Sequence, residues 1–208
     1  MSGAQAGQSG PSVPPLPVGE PSMSVAEPHA LLEGYLDFCR SALLRKLEAL
    51  PESELRLSSL PSGWTPLELV RHLTYVERRW LRWGFEAEQL PDPWGDRGPE
   101  DRWHVPAETT AEEVIEEFRA EAERSRKITG AAALGDRART GGRFRAEGGE
   151  AEQEKEGAGA GAGEEEADGR TAAVPALSWI LFHLLQEYAR HLGHLDVVVE
   201  LATRETGE

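Results

Sequence analysis

The sequence predicts an all-α protein folded as an antiparallel four-helix bundle. Three observations carry this expectation. Four segments repeat apolar residues at three- and four-residue spacing, two Thr-x-x-Glu signatures open helices within the chain, and no segment alternates with the period of two that a half-buried strand needs. Helices of this kind settle as a bundle because each apolar stripe has to be covered by another.

Residues 1–27 are rich in Pro, Gly and Ser and lack hydrophobic periodicity, so a disordered tail is expected there. From Pro28 to Leu50, the residues Leu32, Leu36, Cys39, Leu43, Leu47 and Leu50 recur at helical spacing, and the helix must end before Pro51. Cys39 falls in this stripe as a small core thiol rather than a nucleophile. The run Thr65-Pro66-Leu67-Glu68 joins an N-cap, a proline at the first helical position and a capping glutamate. A second helix over 66–88 follows, with Leu69, His72, Val76 and Trp80 facing inward and Arg71, Arg78, Arg79 and Arg82 expected mostly off that face.

Residues 91–109 are dense in Pro, Gly and Asp and include Trp94 and Trp103, which reads as a long ordered loop of the kind that rims a site. Thr110 and Glu113 cap a third helix whose core face carries Val114, Phe118, Ala122 and Ser125 and ends near Leu134. Residues 135–170 turn from basic to strongly acidic around a Gly-Ala run, and a disordered insertion is expected. The fourth helix runs from about Pro175 to Thr203. The expected organisation is therefore one bundle over 28–208, interrupted at 135–170.

Charge and cysteine content narrow the function. With 22 basic and 37 acidic residues the net charge is −15, which repels nucleic acid and anionic membrane surfaces. The single cysteine permits no intrachain disulfide and suits a reducing compartment. The first residues carry no basic and apolar leader pattern, and no apolar run approaches a bilayer span. A cytoplasmic protein is expected.

The fourth helix holds the chemistry. His183, Glu187, His191 and His194 are spaced by four, four and three residues within an apolar run, which places them on one side of the helix. Ile180 and Val198 share that sector, so the four are expected on the core-facing stripe. A buried carboxylate among imidazoles needs a partner, and no Lys or Arg is visible on these stripes to neutralise Glu187. In a bundle, His72 can meet Glu187 and His191. Two imidazoles and one carboxylate are a three-ligand set suited to Zn²⁺, or less selectively to Ni²⁺, Fe²⁺ or Mn²⁺, with a coordination position left for substrate. Periodicity alone equally allows His183 with Glu187, one turn earlier. Repeated Glu-x-x-His motifs for a di-iron centre and the HExxH of zinc proteases are both missing.

Three segments, SGWTPLELVRHLTYVERRWL (62–81), ETTAEEVIEEFRAEAERSR (108–126) and LSWILFHLLQEYARHLGHLDVVVELATRETGE (177–208), resemble the DinB/YfiT-like superfamily of metal-binding four-helix bundles, and within it an actinobacterial branch of mycothiol-dependent enzymes. The resemblance implies His72, Glu187 and His191 as metal ligands. Because the chain has no second domain after the bundle, it implies a single-domain thiol S-transferase rather than an isomerase. On that reading a divalent metal, Zn²⁺ foremost, activates a small thiol such as mycothiol as a thiolate for attack on an electrophile in detoxification or metabolism. His183 and His194 become candidates for proton handling, and a homodimer is a candidate assembly. A metal-binding stress or regulatory bundle without catalysis is the alternative.

Overall fold

The computed structural model describes residues 16–145 and 174–204. The expectations of disorder for residues 1–15 and 146–173 lie outside the described residues. Four helices make up the described fold, with no strands among these residues: α1 (Pro28–Glu48), α2 (Pro66–Glu77), α3 (Ala111–Gly130) and α4 (Leu177–Thr203). Glu27 caps α1 by accepting from the His29 and Ala30 amides. Both expected capping boxes form, Thr65 with Glu68 and Thr110 with Glu113.

The second helix changes character part-way. After Glu77 it continues as an eight-residue π-helical stretch (Arg78–Phe85), where the spacing predicts α-helix to residue 88. The Glu86 amide accordingly reaches back five residues to the Leu81 carbonyl. Insertions of this type often sit beside functional sites. Here the wider turn carries Arg79 and Trp80, both buried.

Side-chain contacts fix the directions of the helices. Arg40 lies beside Tyr188 and Lys46 pairs with Asp196, so α1 and α4 run together. Arg78 pairs with Glu117 and Arg82 with Glu121, so α2 and α3 also run together. The two pairs oppose each other, with His72 meeting His191 and Trp80 meeting His183 across the bundle. Consecutive helices that run the same way need a crossover. Residues 86–110 supply it by returning from the end of α2 to its beginning, where Arg56 donates to the Thr109 carbonyl.

The core is apolar and closed, with Leu36, Leu43, Leu69, Leu73, Leu81, Phe118, Ile180 and Leu184 fully buried. On α4 the buried positions include Ile180, Leu184, Tyr188, His191, Leu195 and Val198. Ile180 and Val198 of the expected stripe are buried, but of its four polar residues only His191 is: His183 and Glu187 are half-buried at the edge of the core and His194 is exposed. The reason is that Leu184, Tyr188 and Leu195, each one residue after His183, Glu187 and His194, form the more apolar sector, and the bundle buries that one. Phe182, Val197 and Leu201 remain exposed on its outer side. Cys39 is half-buried against the core, and burial pushes its thiol pKa up.

Two segments expected to be disordered contain placed residues. Leu16 packs on the core ahead of α1. Residues 135–145 are held to the bundle: Ala138 is buried and donates to the Pro175 carbonyl, Arg137 bridges to Ala176, and Leu177 donates to the Asp136 carbonyl. Their backbone groups find partners at the start of α4, which composition could not reveal. No helix among the described residues is long and apolar enough to cross a membrane.

Candidate metal centre

α2 and α4 face each other where His72 projects from the second turn of one and Glu187 and His191 project from the middle of the other. One donor atom from each of these three residues lies within 4.8 Å of the others. His191 is 6% exposed, and His72 and Glu187 are half-buried. The His191 Nε2 atom is 3.2 Å from Glu187 Oε2, and the His72 and His191 rings meet edge-on at 5.0 Å.

Local electrostatics leave these groups in ligating states. Burial drives the His72 imidazole down to about 4, against the raising influence of Asp96, so the ring is neutral near pH 7. The hydrogen bond from His191 holds the Glu187 carboxyl below the usual range even though burial opposes it. One carboxylate and two imidazoles suit a divalent cation of borderline softness. His191 Nδ1 is buried without a hydrogen-bond partner, an unmet polar valence in this cluster. Tetrahedral ligands at zinc distances stand about 3.4 Å apart, so a modest contraction of side chains would close the set. Among the described residues this is the one group of three with such a donor arrangement.

The remaining expected residues border this trio. His183 Nε2 is 3.8 Å from Glu187 Oε1, and its ring packs between Trp80 at 4.3 Å and Trp179 at 5.3 Å. His194 is exposed at the other end, its ring 5.9 Å from His191 and 6.4 Å from Trp64. Desolvation, then the neighbouring His191 and Arg190 charges, lower its pKa. The geometry thus places His72 with Glu187 and His191, and leaves His183 and His194 on opposite flanks.

Sequence reasoning missed three residues here. Asp96 is 1% exposed and accepts from His72 Nδ1 at 3.1 Å. Arg79 donates to Asp96 Oδ1 at 2.7 Å and to Oδ2 at 3.3 Å, which corrects the expectation that it lies off the inward face. It sits seven residues after His72, nearly the same angular sector, and that spacing was the available signal. Its charge is taken up by Asp96 rather than by Glu187. Trp103, anticipated only as a rim residue, stacks on the His72 ring at 4.0 Å and 18°. Trp94 instead lies between Arg79 and Arg97.

A family model described as mycothiol-S-transferase matches residues 31–203, from the first turn of α1 to the last of α4. The chain belongs to the mycothiol S-transferase family. The match takes in all three residues of the trio, the crossover loop and both flanking histidines. No curated protein matches the chain.

Proposed function

We propose that the protein is a divalent-metal-dependent S-transferase that conjugates mycothiol, or a closely similar small thiol, to a carbon electrophile. The convergence of His72, Glu187 and His191 at the bundle interior is the observation that carries this reading, and membership of the mycothiol S-transferase family supports it. Zn²⁺ is the proposed ion, since two imidazoles and a carboxylate leave it one open position. When bound, it would supply Lewis acidity that favours the deprotonated form of the thiol at neutral pH.

The protein's own groups would do the rest. The thiol proton passes to a base at the mouth, for which the exposed His194 is proposed; its lowered pKa favours the neutral ring that can accept. His183 is proposed as a second proton-handling group, acting through the Glu187 carboxylate 3.8 Å away. The sulfur lone pair forms the S–C bond as the electrophile's leaving group departs with its bonding electrons. Trp103 and Trp64 narrow the approach on one side and limit water.

The test is conjugation of mycothiol to a chromogenic aromatic halide by protein loaded with Zn²⁺. Turnover is expected, with loss of activity in His191→Ala; a rate no higher than the uncatalysed background would refute the transferase reading.

A further inference from the structure

The crossover loop does more than return the chain to α3. It places Asp96 on one edge of the His72 imidazole and Trp103 on its face. We infer that Asp96 is a positioning residue: clamped by Arg79, it fixes His72 in the tautomer with the proton on Nδ1, so that the Nε2 lone pair is directed at Glu187 and His191. This rests on the metal-binding reading of the trio, and no donor of that trio is itself reassigned.

The contacts leave little freedom for another arrangement. Asp96 is almost wholly buried, and its carboxylate is bound by Arg79 through two nitrogens and by His72 through Nδ1. An arginine offers only donors, so the carboxylate must be the acceptor toward it. The oxygen facing His72 is therefore an acceptor as well, which requires a proton on Nδ1. Arg79 is itself anchored, since it also donates to the Pro93 carbonyl at 3.3 Å and stacks on Trp94 at 4.3 Å.

The loop backbone is equally constrained beside Asp96. Arg71 donates to the Gly95 carbonyl, and the His104 amide donates to the Asp96 carbonyl at 2.9 Å. A Cβ at Gly95 would stand 2.5 Å from the Tyr75 hydroxyl, so a larger residue there would have to push the Tyr75 ring aside. Trp103 then closes the opposite side, its indole parallel to the imidazole. His72 is thus held in the ring plane by a hydrogen bond and out of the plane by stacking. An imidazole fixed in this way presents one nitrogen in one direction.

The Asp96→Asn variant separates this role from mere packing. Because Arg79 can only donate, the asparagine must turn its oxygen to Arg79 and its amide to His72, which reverses the tautomer and puts the proton on Nε2. The shape of the site is retained. The experiment is two-bond ¹H–¹⁵N correlation of the metal-free protein at neutral pH, together with Zn²⁺ affinity from competition with a chromophoric chelator. Wild-type His72 is expected as the Nδ1–H tautomer and the variant as Nε2–H, with affinity lowered roughly 10- to 100-fold and far-ultraviolet dichroism unchanged. An Nε2–H tautomer in the wild type overturns the inference, and so does a folded Asp96→Asn protein whose affinity stays within twofold. Should the variant fail to fold, the wild-type tautomer alone decides. If the wild type takes up no metal, the proposed function fails while the tautomer measurement still judges the role of Asp96.

Discussion

Two polar clusters occupy the same bundle interior, one built from α1, α2 and α4 and the other from α2 and α4, and their difference separates structure from chemistry. In one, Glu77 is 1% exposed and is bound by Arg40 through two nitrogens at 2.8 Å, with the Tyr188 hydroxyl donating to it as well. Arg40 is completed by Asp37. Burial would raise the Glu77 carboxyl, but the Arg40 guanidinium outweighs it and holds the pKa low. In the other, the Glu187 carboxylate lies beside the His183 and His191 imidazoles, and among the described residues His191 Nδ1 has no hydrogen-bond partner. The first cluster is closed by its own charges and pins the helices. The second has donors to spare, which is what a cation site requires.

The comparison is broken most severely at Arg40. Arg40→Leu leaves Glu77 as an uncompensated buried carboxylate and should cost about 3–5 kcal/mol of unfolding free energy in urea, with metal uptake per folded molecule unchanged. A loss below about 1 kcal/mol would show that water or another cation reaches Glu77 and that the cluster is not closed.

His191→Ala should act in the opposite sense. The metal-free protein should lose little more than local packing, but the added stability from Zn²⁺, about 2.7 kcal/mol at one hundred times Kd, should vanish from thermal scans. If the variant gains as much from Zn²⁺ as the wild type, the ion binds elsewhere.

A smaller effect is expected at Tyr188→Phe. It removes one of several bonds to Glu77 and should cost about 1 kcal/mol, without altering metal affinity. Coupling between Tyr188 and the metal would mean that the two clusters are one network.

The pH dependence sharpens the contrast further. Folding lowers the His72 pKa from 6.5 to about 4, so the unfolded chain binds more protons in that interval. The stabilisation is complete above about 6.5 and is lost as pH falls through 4. Between these limits the urea midpoint of the metal-free wild type should fall more steeply than that of His72→Gln, and equal slopes would contradict the burial of a neutral imidazole.

Much of the fold was legible. Thr65 with Glu68, and Thr110 with Glu113, mark helix starts by a reciprocal backbone bond that is local in sequence. Helical spacing and the pairing of two stripes put His72 within reach of Glu187 and His191 but equally allowed His183 with Glu187, and the family resemblance chose between them. What was hidden depends on contacts between distant parts of the chain. Asp96 is one of several acidic residues in its loop, and only the path of the crossover distinguishes it from Asp92 or Asp101. Arg40 and Glu77 are charged, so a pattern reading assigns them to the surface; a separation of 37 positions conceals their pairing. The π-helical turn of α2 has no signature in apolar spacing either, since it depends on how Arg79 and Trp80 are received by the loop and by α4.

The clasp at the base of α4 has a practical meaning. Ala138 and Leu177 exchange backbone bonds across the α3–α4 connection, with Pro175 and Asp136 as the acceptors, so that connection is already closed before its intervening residues are counted. Lengthening a loop whose ends are fixed costs only about 0.6 kcal/mol for each doubling. A fluorescent reporter or affinity handle spliced between Arg145 and Val174 should therefore leave the bundle folded, whereas the same cargo placed between Glu86 and Thr110 would displace the loop that orients His72.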